Sequence, residues 1–375
     1  MQIIQRGLVF DSAARTPEKR ATAFTGLCKM ESGTLLSAFQ VGAAKHGPAT
    51  TIGLCRSRDG GVTWNPLAVS FPRHLNGTPG SFAGGELLEA EPGRLMLCTT
   101  WFDRSDPSRP LFDEVTEGVL PAKLLLAFSD DEGDTWSPWQ QLPTGELRGC
   151  AHCGPLIRWN DGTIAVPFES YKEWDDPRPH RHAAWVVVSQ DAGRTFSEPT
   201  LVAQHPEHRI YYWDQRLCAL PSPGDFLALF WTHDLGSKQD LQVHLQQGSI
   251  HGAKASAPRS TGITGQIAAP AVLDDGRWLA FIVDRSGPNT MKLWVSHDEG
   301  LTWPAENSHC VYNHDEQAKL TQELHDVDYK QYWGDMLKWT FGHPAMLVLD
   351  NNELLLSFYA GSPGCTSVHW VRARI

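Results

Sequence analysis

The chain has 375 residues, of which 41% are hydrophobic and 20% charged, with a formal net charge of −11. The length supports a large core, and the acidic balance argues against non-specific binding to nucleic acid or to an anionic membrane surface. Gly 33, Pro 25 and Trp 15 are generous counts, pointing to many turns joined by strands with large flat side chains.

The first twenty residues hold no long apolar run, so neither a signal peptide nor a membrane-spanning helix is expected, and the expected location is cytoplasmic. Gln2–Phe10 reads as a lone strand. GLCKMESGTLLSAFQ (Gly26–Gln40) then reads as strand, tight turn, strand, and TIGLCRS follows as a third strand. The same succession recurs in GELLEAEPGRLMLCTTW (Gly85–Trp101), GPLIRWNDGTIAVPFES (Gly154–Ser170) and LCALPSPGDFLALFWTHD (Leu217–Asp234). It appears twice more, in PAVLDDGRWLAFIVD (Pro270–Asp284) and PAMLVLDNNELLLSFYA (Pro344–Ala360). Six units of four strands, a to d, predict an all-β, six-bladed β-propeller. The chain ends after a strand that reads as c of unit six, so Gln2–Phe10 is expected to supply its strand d and close the ring. One domain, residues 1–375, is expected.

Four of the units carry a further repeat after strand c: SRDGGVTW (Ser57–Trp64), SDDEGDTW (Ser129–Trp136), SQDAGRTF (Ser189–Phe196) and SHDEGLTW (Ser296–Trp303). Each reads Ser-x-Asp-x-Gly-x-Thr-(Trp/Phe), and the spacing implies that one unit has lost its copy. The carboxylate and hydroxyl suit a side-chain-stapled turn, and the glycine suits a bend needing positive φ. This pattern resembles the Asp-box, or BNR repeat, of the sialidase superfamily. The resemblance implies that the boxes are c–d hairpins on one face of the propeller. It also implies that ligands bind on the other face, at the d–a and b–c loops.

On that second face the sequence offers Glu86, His152, Asp214, His343 and Tyr171 as candidate catalytic groups. Arg216, Trp213, Arg20, His233, Asp234, Arg285, Gln266 and Trp231 are candidate sugar contacts. Carboxyl groups serve acid–base work, arginine can grip a sugar carboxylate in two-point fashion, and aromatic faces stack on pyranose rings. Ser105–Pro121, Tyr171–Ala183 and Asn313–His343 read as long insertions that rim the site.

The resemblance implies a glycoside hydrolase of sialidase type, which uses arginines on the substrate carboxylate, a glutamate-activated tyrosine nucleophile and an aspartate acid. The chain departs from that pattern. Ala23-Phe24-Thr25-Gly26-Leu27 stands where an Arg-Ile-Pro motif would be, and Gln40–Gly47 lacks an aspartate. A hydrolase acting on a glycan or acidic sugar, with Asp214 and Glu86 as acid and base, is the leading expectation. The alternatives are a uronate lyase with His152 or His343 and Tyr171 abstracting a proton beside Arg216, and a propeller that only binds carbohydrate. Eight scattered cysteines read as buried thiols. Cys150-Ala-His-Cys153 has metal-like spacing without a second pair, so no metal or cofactor is expected.

Overall fold

Strand b of each unit is an almost unbroken apolar run because it is covered on both faces. Leu35–Gly42 is buried at every position, and Ile164–Ser170 likewise. Each blade packs against a neighbour on either side, so its inner strands lose the alternation of a sheet with one wet face. The computed structural model describes the chain except residues 114, 117, 180, 252–255, 315–338 and 363. Most of the expected insertion Asn313–His343 therefore lies outside the described residues.

The six expected blades are present. Blade 1 consists of Ala21–Lys29, Leu35–Gly42, Thr51–Ser57 and Asn65–Pro66; blade 2 of Gly80–Glu91, Arg94–Asp103, Ala122–Ser129 and Gln140–Gln141. In blade 3, strand a is split into Cys150–His152 and Ile157–Arg158, followed by Ile164–Ser170, Ala183–Ser189 and Thr200–Ala203. Blade 4 runs Ile210–Ala219, Asp225–Asp234, His244–Ser249 and Arg259–Ser260; blade 5 runs Ala268–Val272, Trp278–Asp284, Thr290–Ser296 and Ser308–Asn313. Blade 6 is Phe341–Val348, Glu353–Ser362 and Cys365–Arg374, completed by Gln2–Phe10. That N-terminal strand pairs antiparallel from Gln2↔Arg374 to Phe10↔Val368, as expected. The protein is a six-bladed β-propeller closed by its N-terminal strand.

The core is a ring of inter-blade clusters. Leu27, Phe39, Val368 and Trp370 fill the seam between blades 6 and 1, and Phe82, Leu97, Leu36 and Leu54 the seam between 1 and 2. Burying one such side chain contributes roughly 1.5–3 kcal/mol.

All four boxes lie between strands c and d and share one hydrogen-bond scheme. In the first, Ser57 Oγ donates to Asp59 (2.8 Å), and Asp59 accepts from Thr63 N (2.9 Å) and Thr63 Oγ1 (2.6 Å). The Gly61 amide, at φ +90°, donates to Ser57 Oγ at 2.8 Å. The closing aromatics pack into the seams, Trp303 among Leu229, Leu245 and Trp278. The aspartates are saturated by their own turns, which accounts for their carboxyl groups being held below the usual range.

Candidate functional site

At the end of the ring opposite the boxes, strand a of four blades carries the same irregularity. The register with strand b slips between Ala23 and Gly26, Ala83 and Glu86, Trp213 and Arg216, and Gly342 and Ala345. Each slip is a β-bulge in which two residues face one partner. The first residue of each bulge is left-handed: Phe24 (φ +53°), Gly84 (+71°), Asp214 (+47°) and His343 (+53°). Only glycine adopts that conformation freely, and it costs about 1–3 kcal/mol elsewhere. Three of the four, Phe24, Asp214 and His343, present their side chains to one space.

They surround a cavity of about 100 Å³ lined by Glu86, His152, Glu169, Tyr171, Asp214 and His343, with Phe24, His46, Phe102, Leu111 and Val119 supplying apolar wall. Its volume is on the scale of the roughly 150 Å³ cavity that accepts a benzene ring. All five candidate catalytic residues named from the sequence meet here.

Beneath the cavity lies Arg216, 2% exposed. Its Nη1 is 3.5 Å from Glu86 Oε1, its Nη2 is 3.6 Å from Asp214 Oδ1, and Nη2 also donates to His343 Nε2 at 2.5 Å. Glu86, 3% exposed, occupies a slot between two glycines; a Cβ on Gly154 or Gly26 would come within 2.3 Å or 2.7 Å of its carboxyl group. Burial pushes the Glu86 carboxyl up to about 7, with Arg216 partly offsetting it. Burial likewise lifts Asp214 to about 6, against the pull of Arg216. The Asp214 side chain keeps 24% exposure, so it is the member of this pair that reaches the opening.

A second group of contacts centres on Glu169 in strand b of blade 3. Tyr171 Oη donates to Glu169 Oε2 at 2.5 Å, and His182 Nε2 lies 3.1 Å from the same oxygen. The other oxygen, Oε1, accepts from the Gln215 amide at 2.9 Å. Glu169 therefore fastens the bulge that aims Asp214. Opposite, the His152 ring approaches Thr100 Oγ1 at 2.9 Å, and burial next to Arg216 lowers its pKa to about 3. Burial also keeps His343 and His46 well below the ordinary histidine value, His343 additionally beside Arg216 and His46 beside Lys45. The histidines of the lining are neutral at physiological pH.

The remaining candidates lie elsewhere. Trp213 stacks on His233 (5.4 Å, 13°) and packs against Trp231 in the core. Asp240 accepts from Trp231 Nε1 (3.0 Å) and Gln266 Nε2 (3.2 Å) and lies 3.1 Å from His233 Nδ1. Arg285 joins this neighbouring cluster through Gln266 (2.5 Å), with its guanidinium over Trp339. Asp234 forms an ion pair with Arg209 at 2.7 Å, and Arg20 is exposed with its Nε donating to the Arg15 carbonyl; neither reaches the cavity. Among the described residues, no group of three or more His, Cys, Asp or Glu is arranged to hold a metal ion. Thr100 and His182 carry no signal in the sequence, and Glu169 stands out there as one of several polar strand-b ends on this face. The signal for Glu169 was its i, i+2 spacing to Tyr171, which places both on one face at a strand end.

No protein-family model matches the chain. It is 23% identical over 306 residues to a sialidase of Paraclostridium sordellii, covering 77% of this chain and 72% of that protein. It is also 23% identical over 314 residues to a sialidase of Bacteroides fragilis, covering 75% of this chain and 54% of that protein. The matched region thus spans about half of that relative's length. Among solved structures, a protein of unknown function from Dyadobacter fermentans aligns with a TM-score of 0.74 at 18% identity, covering 100% of this chain and 98% of that one. A Hadza microbial sialidase aligns at 0.69 and 18%, over 99% of this chain and 68% of that one. The Penicillium chrysogenum α-L-arabinanase complexed with arabinobiose aligns at 0.63 and 13%, over 100% and 99%. The chain therefore has distant sialidase homologues and shares the propeller fold of glycosidases.

Proposed function

We propose that the chain is a glycoside hydrolase that cleaves a glycan in the cavity bounded by Asp214, Glu169 and Tyr171. The observation that carries this reading is the convergence of a tyrosine–glutamate pair and a protonatable aspartate on one ring-sized cavity. The distant sialidase and arabinanase likenesses support it at the level of fold.

In the proposed reaction Asp214 donates its proton to the glycosidic oxygen as the bond to the anomeric carbon breaks. Tyr171 Oη attacks that carbon while Glu169 Oε2 takes the phenol proton, leaving a glycosyl–tyrosine intermediate. Water then attacks the anomeric carbon and gives its proton to the Asp214 carboxylate. Tyr171 departs and recovers its proton from Glu169. Two displacements retain the anomeric configuration. Glu86, enclosed in its glycine slot, serves through Arg216 rather than as the second carboxylate.

The lyase alternative draws less support. Arg216 occupies the Nε2 lone pair of His343, so that imidazole is not available as a base. The test is turnover of a panel of 4-methylumbelliferyl glycosides by the full chain, with the product anomer read by NMR. Turnover with retention, lost in Asp214→Asn, is expected. Sugar binding without turnover across the panel would overturn the reading in favour of a binding propeller.

A further inference from the structure

The electrostatic lining of the cavity speaks to its ligand. Its acidic members are Glu86, Glu169 and Asp214, and among the described residues it is lined by no lysine or arginine. Four cations approach it from behind, and each already has partners. Arg216 serves Glu86, Asp214 and His343. Arg104 Nε donates to Ser81 Oγ at 2.8 Å and its Nη2 to the His46 carbonyl at 3.0 Å. Arg285 holds Gln266 Oε1 and the Phe341 carbonyl. Lys45 Nζ is 3.0 Å from Tyr359 Oη and lies over the Phe24 ring.

We infer that the sugar accepted in this cavity is uncharged, a neutral glycoside rather than a sialic or uronic acid. An incoming carboxylate would lose its hydration and meet carboxyl groups instead of a free guanidinium. To recruit Arg216 through Nη1 it would have to displace Glu86, and through Nη2 Asp214 and His343; Nε, the guanidinium nitrogen left without a hydrogen bond, is buried and off the cavity lining. A neutral sugar asks for none of this. Its hydroxyls can be met by the carboxyl and imidazole groups, and its C–H face by Phe24, Phe102 and Leu111.

This inference rests on the glycosidase reading of the same cavity, and one experiment separates the two. An array of neutral, sialylated and uronate-bearing glycans is probed with the full chain, and the same glycans are assayed in solution for reducing-end release. Binding or cleavage of neutral glycans, with the sialylated and uronate members at least about tenfold weaker, is the expected result. Neutral glycans bound but never cut would leave the inference standing and remove the hydrolase reading. Sialylated or uronate glycans bound equally or better would overturn the inference, and their cleavage would leave the hydrolase reading intact. Absence of any binding or release would overturn both.

Discussion

Arg216 Nη2 donates to Nε2 of His343 over 2.5 Å. A guanidinium can only donate, so Nε2 is an acceptor, and the ring proton sits on Nδ1, 3.3 Å from the Thr25 carbonyl. His343 is therefore a neutral support for the arginine. Its ring resonances should not titrate between pH 5 and 8 by NMR. His343→Gln, whose amide oxygen can accept in place of Nε2, should stay near wild-type stability in urea. His343→Leu orphans a buried N–H and should lose about 1–3 kcal/mol. Equal stability of the two variants would contradict this assignment.

Asp214→Asn removes the proposed acid, and kcat/KM on a cleaved glycoside should drop by about 10²–10⁴-fold. The reactive form of Asp214 is protonated, and burial keeps it so up to about pH 6. The wild-type rate should accordingly decline as pH rises past that value. A variant that retains this alkaline limb would show that another group supplies the proton.

Tyr171 and Glu169 act as one unit in the proposed reaction, so their losses should not add. Tyr171→Phe and Tyr171→Phe/Glu169→Gln should be slowed by similar factors. A multiplicative loss in the double variant would indicate independent roles. Because Glu169 also holds the Gln215 amide, melting temperatures of both proteins should accompany the rates.

Glu86 links the site to stability. Its carboxyl moves from 4.5 to about 7 on folding, so the folded state holds the proton more tightly. The associated stability is present below pH 4.5 and is lost as pH rises through 7. Glu86→Gln lacks this dependence. The stability of wild type relative to Glu86→Gln should therefore fall between pH 4.5 and 8, by on the order of 3 kcal/mol. Parallel stability curves in urea for the two proteins would refute this.

The boxes predict the opposite division between stability and rate. Hydrogen bonds from Thr195 and Ser189 hold the Asp191 carboxyl down at about 2. Its contribution is present above pH 3.8 and disappears as pH falls toward 2. Asp191→Asn should lower Tm by a few degrees at neutral pH and leave kcat and KM unchanged, because the turn lies at the far end of the ring. A changed KM would tie this face to substrate.

The propeller was legible in the sequence because two signals repeat with it. Strands buried on both faces write almost unbroken apolar runs such as LLSAFQVG, and the box marks four of the c–d turns. The cavity was legible in part. Glu86, His152, Asp214 and His343 could be placed at strand starts, but the bulges were invisible, because a slip of one residue reverses which side chains face the axis. Trp213, Trp231 and His233 read as a sugar platform yet stack on one another within the core. Arg216 read as a grip for a substrate carboxylate in a pocket with Asp214, Glu86 and His343, and spacing could not reveal that these three groups take up its Nη atoms.

The four bulged positions now hold a benzyl group, a hydrogen atom, a carboxyl group and an imidazole: Phe24, Gly84, Asp214 and His343. Their backbone geometry is common to all four, while their chemistry has nothing in common. The ring thus behaves as a fixed mount with exchangeable fittings. A change at Phe24, Asp214 or His343, which already carry a side chain at this geometry, would alter the groups that line the cavity, whereas a side chain at Gly84 would meet Phe24 at 2.9 Å. Descent from a shared propeller to a different sugar, or to a different reaction, then requires neither a new loop nor a new blade.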